Sequence, residues 1–395
     1  MSHQQATQAV RAGIETDEQY GAVTPALYLS SNYTFEGLGS PRKYDYSRSG
    51  NPTRDVLADC LAELEGGAGA VVTSSGMSAV HLVTQLLEPG DLVVVPHDCY
   101  GGTYRLFTSL AKKGGCRVTF VDQGNDEAYQ KALAEKPKIV WIETPSNPLL
   151  RIVDVEKLCT QAGDTVIKVV DNTFLSPIQQ KPLELGADLV IHSTTKYING
   201  HSDVVGGSVV AKTEDLFEQV AWWANCIGIT ASPFDSFITT RGIRTLGIRI
   251  KKHEENAQAI AKFLDKHSLV DNVYYPGLEH HPGHLIARKQ QKGFGAMLSF
   301  TTSFDQETLA QFIKELKLFS LAESLGGVES LICHPATMTH AAMDEAAQVE
   351  AGITPRLLRV SVGIEELDDL LTDLIQAFEK VSSNSTTVDK EVSNG

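Results

Sequence analysis

Between about residues 66 and 250 the chain alternates short apolar runs with longer amphipathic stretches. Short runs of about three to five mostly apolar residues without polar alternation predict strands buried on both faces, as in a mainly parallel sheet covered by helices. Five such runs stand out: Ala70-Val-Val-Thr73, Asp91-Leu-Val-Val-Val-Pro96, Lys138-Ile-Val-Trp-Ile-Glu143, Val166-Ile-Lys-Val-Val-Asp171 and Leu189-Val190-Ile191. Between them, Val80, Leu82, Val83 and Leu86 fall at helical spacing after the turn Ser74-Ser75-Gly76-Met77-Ser78, and Val56 to Leu64 reads as an amphipathic helix started by Asn51-Pro52-Thr53. A further helix is expected from about residue 252, at His253-Glu-Glu-Asn-Ala-Gln-Ala-Ile, leading into a smaller C-terminal α/β domain. The first 55 residues, rich in Gly, Ser, Asn, Tyr and Pro, lack sustained periodicity and read as an extended arm. The expected organisation is an arm over 1–55, a large α/β domain over 56–250, a small domain over 251–381 and a polar, disordered tail over 382–395.

Composition narrows the class. With 395 residues, 42% hydrophobic and 21% charged, the chain resembles an ordinary globular protein. A net charge of −15 argues against nucleic acid, whose phosphates need concentrated Lys and Arg. No long apolar window and no apolar signal core after Met1 point to a cytoplasmic protein with no membrane partner. Six scattered cysteines, Cys60, Cys99, Cys116, Cys159, Cys226 and Cys333, fit reduced thiols, with no zinc spacing. The cluster Glu279-His280-His281-Pro282-Gly283-His284 reads as a surface loop, because its Pro and Gly spell a turn and neighbouring His side chains diverge. Trp222 and Trp223 read as packing or interface residues. Gly66-Gly67-Ala68-Gly69 precedes its strand and lacks a third glycine, which excludes a dinucleotide fingerprint.

The strand ends carry the chemistry. In an open α/β sheet, ligands bind outside the carboxyl ends of the strands. Here those ends bear Ser75-Gly76-Met77, Tyr100, Asn147, Asp171 and the group Ser193, Thr195 and Lys196. A desolvated lysine reacts with an aldehyde, a carboxylate keeps a pyridine nitrogen protonated, and a strand–glycine–helix turn binds an anion. An aromatic residue followed by two glycines, Tyr100-Gly101-Gly102, leaves room for a flat ring. Together these are the needs of pyridoxal 5′-phosphate (PLP). Upstream, Tyr46 and Arg48 lie two apart in an extended stretch and are candidates to grip one phosphate.

Eight segments resemble the transsulfuration (cysteine and methionine metabolism) family of PLP enzymes, in that family's order and spacing. They are Tyr46-Ser-Arg48-Ser-Gly-Asn-Pro-Thr-Arg54, Ser75-Gly-Met-Ser-Ala79, Tyr100-Gly-Gly-Thr103, Glu143-Thr-Pro-Ser-Asn-Pro148, Val170-Asp171-Asn-Thr173, His192-Ser-Thr-Thr-Lys196-Tyr, Ala322-Glu323-Ser324-Leu-Gly-Gly-Val-Glu and Leu358-Arg359-Val-Ser-Val-Gly. The resemblance implies an aspartate-aminotransferase-like (fold type I) large domain. It implies that Lys196 forms the Schiff base and moves protons, that Asp171 pairs with the ring nitrogen, and that Tyr100 stacks on the ring and assists proton transfer. Gly76, Met77, Ser193 and Thr195 are implied to bind the phosphate, joined by Tyr46 and Arg48 of a neighbouring subunit, with Asn147 near the ring 3′-oxygen. Arg359 is implied to clamp the substrate α-carboxylate beside Ser324, with Glu323, Arg105 and Tyr46 around the substrate and no metal. The implied assembly is a homotetramer built as a dimer of dimers. The implied reaction is γ-replacement, in which an O-acylhomoserine and L-cysteine give L-cystathionine; γ-elimination is the alternative. Ser49 stands where well-known members of the synthase group carry a second arginine, which leaves succinyl and acetyl substrates both open, with Arg105 and Lys43 as candidates for a distal carboxylate. Gly102 replaces the reactive cysteine of methionine γ-lyases, against that activity.

Overall fold

A computed structural model describes residues 3–341, 348–349 and 351–392, with side chains through Ser383. Seven strands, β1 (Gly69–Thr73), β2 (Leu92–Pro96), β3 (Arg117–Val121), β4 (Ile139–Glu143), β5 (Ile167–Asp171), β6 (Leu189–His192) and β7 (Gly207–Ala211), form one sheet in the order β1-β7-β6-β5-β4-β2-β3. Only β7 runs against its neighbours β6 and β1; the remaining pairs are parallel. Strands β1 to β6 therefore point one way, and their carboxyl ends share one edge.

The apolar runs are continuous because both faces of this sheet are covered. Val94, Val140, Val170, Val190 and Val210 enter one core cluster, while their neighbours Val93, Trp141, Val169, Leu189 and Val209 enter another on the opposite face. The expected helix after Asn51 spans Pro52–Glu65: the Asn51 side chain accepts the N–H groups of Thr53 and Arg54, proline sits at the first turn, and Gly66 ends the helix at a φ of 77°.

A second sheet, order β10-β11-β12-β9-β8, contains β8 (Val270–Tyr274), β9 (Met297–Thr302), β10 (Ser320–Leu321), β11 (Leu331–Cys333) and β12 (Leu357–Ser361). It is mostly antiparallel and packs into its own core with Leu246, Ile250, Ala257 and Ile260 of the helix Leu246–Leu264. The expected boundary at residue 250 falls inside that helix. Its first turn already packs with the small domain, and the helix pattern was obscured because Arg249, Lys251 and Lys252 interrupt the apolar positions. The arm has one short helix, Gln5–Val10, and then only the isolated bridges Asn32–Tyr46 and Gly37–Ser40 before Pro52.

Two further expectations change. The last helix runs from Leu367 to Val392, through most of the tail expected to lack structure, since extending an already nucleated helix costs little; residues 393–395 lie outside the described residues. The histidine cluster is not a surface loop throughout. His281 and His284 are buried, with His281 Nδ1 accepting the Gly283 N–H (3.0 Å) and the His284 ring stacked on Phe294 at 5.2 Å. Trp222 is exposed and meets Trp223 edge-on at 4.8 Å. No helix among the described residues is long and apolar enough to cross a membrane.

One buried histidine makes a testable pH statement. His253 Nδ1 donates to the Val362 carbonyl (2.7 Å), its Nε2 is buried without a partner, and the ring meets Tyr197 edge-on. Burial pushes it from 6.5 down to about 4. The unfolded chain therefore binds the proton first as pH falls, so this contribution to stability is intact above 6.5 and drains away towards 4. The expected loss across that window is on the order of 3 kcal/mol. Urea unfolding at stepped pH should show a shallower decline for His253→Gln than for the unaltered protein.

Candidate active site

The shared edge of β1 to β6 opens onto a cavity of about 640 Å³. Ser75, Gly76, Met77, Tyr100, Arg105, Asn147, Asp171, Ser193, Thr195, Lys196, Glu323, Ser324 and Arg359 all line it. The structure thus brings together every site residue expected from the sequence except three. Tyr46 and Arg48 lie outside it on the exposed arm, where Arg48 donates to the Asn225 side-chain oxygen (2.7 Å) and sits 5.7 Å from the Tyr46 ring centre. Lys43 is likewise absent from the lining and lies 5.2 Å from the Tyr44 ring centre.

The anion-binding corner follows from local backbone rules. Ser75 caps the helix Gly76–Thr84 by accepting the Ser78 N–H, which leaves the N–H groups of Gly76 and Met77 without intrahelical partners at the positive helix end. A Cβ on Gly76 would stand 2.8 Å from Ser193 Cβ, so only glycine lets the β1 and β6 ends close around the corner. Ser193 N–H is held by Thr173 Oγ1 (2.9 Å), and the Thr195 hydroxyl exchanges hydrogen bonds with Gly206 at 3.0 and 3.2 Å.

Lys196 follows β6 by one turn, tied down by its own N–H to Ser193 O (3.2 Å) and by Gly200 N–H to its carbonyl (2.8 Å). Its Nζ donates to Ser324 Oγ (2.6 Å). Burial, followed by the nearby Arg359 guanidinium, pulls the ammonium down to about 8, while Glu323 acts the other way. Ser324 holds a φ of 78°, a left-handed conformation that costs a non-glycine residue about 1 kcal/mol or more. That conformation is used: Ser324 Oγ meets Lys196, and its carbonyl accepts from Arg359 (2.9 Å). Arg359 is buried, donates also to Asn147 Oδ1 (3.0 Å), and keeps its Nε without a partner. An unpaired donor on a buried guanidinium suits a carboxylate ligand.

Asp171 ends β5 and accepts the Thr173 N–H (3.0 Å). Burial raises its carboxyl above the usual range, opposed by Thr173 and by His192. Across the β4–β5 ladder, Glu143 is its register partner and lines the same cavity. The sequence reading missed Glu143 as a site residue. Its signal was a strand ending in an acid beside Asp171's strand. Thr173, also on the wall, lay inside a recognised segment but was given no role, and Met338 and Thr339 carried no signal at all.

The arrangement fits PLP on its own chemistry. The Asp171 carboxylate at the end of β5 suits a protonated ring nitrogen; the glycine corner suits a phosphate; the amine suits an aldehyde. Among the described residues, no cluster of His, Cys, Asp or Glu could hold a metal ion, and the six cysteines are unbridged, five of them buried.

Comparison with known proteins agrees. The chain is 60% identical over 380 residues to cystathionine gamma-synthase of Escherichia coli (strain K12), covering 96% of this chain and 98% of that protein. It is 45% identical to a cystathionine beta-lyase of Lactococcus lactis subsp. cremoris (strain MG1363), covering 95% and 98%. The crystal structure of cystathionine gamma synthase from Xanthomonas oryzae pv. oryzae, in complex with aminoacrylate and cysteine, superposes with a TM-score of 0.96 at 57% identity, covering 97% of this chain and all of that one. The family profile described as Cys/Met metabolism PLP-dependent enzyme matches residues 6–379, and the chain belongs to that family.

Proposed function

We propose that the protein is an enzyme of γ-replacement, converting an O-acylhomoserine and L-cysteine into L-cystathionine and the free carboxylic acid. The supporting observation is the one cavity in which a lysine amine pulled down to about 8, a buried guanidinium with a spare donor and a strand-end carboxylate converge. The 60% identity to a cystathionine gamma-synthase favours replacement over elimination. In the overall change, the Cγ–O bond breaks, the cysteine sulfur bonds to Cγ, and the thiol proton leaves with the acid. When bound, PLP supplies an aldehyde for amines and a cationic ring that stores electrons released at Cα.

The chain's own residues then have definite tasks. Lys196 would hold the aldehyde group, and its Nζ would carry the proton from Cα, with Ser324 Oγ orienting that nitrogen. Asp171 holds the ring nitrogen positive. Gly76, Met77, Ser193 and Thr195 hold the phosphate, and Tyr100 covers the ring. Asn147, already fixed by Arg359, would hold the ring oxygen. Arg359 grips the α-carboxylate, using the Nε that has no internal partner. Replacing it with lysine removes the fork geometry but keeps the charge. Arg359→Lys should therefore raise KM for the acylhomoserine by about 10- to 100-fold, with a smaller change in kcat, as steady-state kinetics would show.

Arg105, on the cavity wall, supplies positive charge for a distal carboxylate, whereas Lys43 does not line the cavity and Ser49 spends its hydroxyl on Asp45 (2.8 Å). Succinyl is accordingly the preferred acyl group. Tyr46 and Arg48 serve the cavity of a second copy, in a dimer that pairs into a tetramer; their position on an arm exposing Tyr20, Leu29 and Leu38 supports this. Light scattering of the purified protein reads the assembly directly. The function itself is tested by a substrate panel: O-succinyl- and O-acetylhomoserine with and without cysteine, and cystathionine alone. Cystathionine formation faster than 2-oxobutyrate release supports the assignment. Dominant cleavage of cystathionine would make the enzyme a lyase, as in the Lactococcus relative.

A further inference from the structure

We propose that Glu143 is a positioning residue that works as a neutral carboxylic acid, anchoring the backbone of Tyr100 while leaving Asp171 as the one anion at the strand ends. The geometry carries this. Glu143 and Asp171 are the last residues of adjacent parallel strands, directly paired in register, so their side chains rise side by side on one face about 4.8 Å apart at the backbone. Both line the cavity. Glu143 Oε2 accepts the Tyr100 N–H (2.9 Å), at the first turn of the helix Gly101–Lys112. That bond fixes where the tyrosine ring stands, and Gly102, whose Cβ would come 2.6 Å from the Tyr100 ring, leaves the space for it.

Two carboxylates this close in a buried wall do not both ionise. Burial and the charge of Asp171 drive Glu143 well above the carboxylate range, and Asp98 adds to this; the Tyr100 N–H opposes it. The Cys99 thiol, itself fully buried and pushed up, is the other titratable neighbour. The cations on the same wall, Lys196, Arg105 and Arg359, are not among the groups that shift Glu143. With Oε2 occupied by an N–H, the proton rests on Oε1. A neutral Glu143 is consequential: if it were charged, the ring nitrogen would face two anions, and Asp171 would be pressed towards protonation.

The inference rests on the reading of this cavity as a PLP site, but its central test does not need the cofactor. In cofactor-free protein, the infrared spectrum should contain a protonated-carboxyl stretch at neutral pH that shifts in D₂O and is missing in Glu143→Gln. With cofactor, Glu143→Gln retains a neutral side chain with an oxygen for the Tyr100 N–H, whereas Glu143→Ala retains neither. The loss in kcat should be at least about tenfold larger for alanine than for glutamine. Absence of the infrared band, or equal losses in the two variants, would overturn the proposal. A protein that binds no PLP yet shows the band would instead count against the functional reading.

Discussion

Lys196→Ala is expected to cut turnover by about 10⁴-fold or more, the largest effect of any single substitution in the chain. The reason is that, in the mechanism we propose, one nitrogen has two tasks, capture of an aldehyde and movement of the Cα proton. Both need a free amine, and the fold provides one by burying Nζ beside Arg359, which lowers it to about 8. Losing the side chain removes the base and the anchor together, while the phosphate corner and Asp171 remain. The variant should thus still take up PLP, by dialysis against the cofactor, but its visible band should resist reduction by borohydride onto the protein. Substantial cystathionine formation by Lys196→Ala would mean that another group moves the proton.

Asp171→Asn is expected to lower kcat by about 10³-fold with a modest change in KM. Its side chain is nearly isosteric and still accepts the Thr173 N–H, so packing at the end of β5 survives. What disappears is the negative charge that, in the mechanism we propose, pairs with the ring nitrogen, and with it the ring's capacity to store electrons. The position is sensitive because Asp171 is already raised by burial and relieved only by Thr173 and His192. Near-normal turnover with bound cofactor would remove Asp171 from the mechanism.

Much of this site was legible in the sequence because strand ends announce themselves. A parallel strand buried on both faces is an unbroken apolar run, so the first polar residue after it marks the ligand edge, as at Asp171 and Lys196. The reading failed where that rule is silent. The direction of β7 leaves no trace, since Gly207–Ala211 reads the same whether parallel or antiparallel to β6. Glu143 was overlooked because a strand-end acid usually caps a turn, and only register with Asp171 gives it another meaning. The start of the helix Leu246–Leu264 was misplaced because Arg249, a buried guanidinium, hides its apolar face. Its Nη1 donates to the Tyr197 carbonyl (2.7 Å), next to Lys196.

The bond from Arg359 to Asn147 joins residues 212 apart, and that from Lys196 to Ser324 joins residues 128 apart. A chain still emerging from the ribosome can therefore complete the large sheet long before its lysine is sheltered or its carboxylate clamp exists. Termination anywhere upstream of β12 leaves out Arg359 and its bond to Asn147, so the cavity wall is complete only once synthesis is nearly finished.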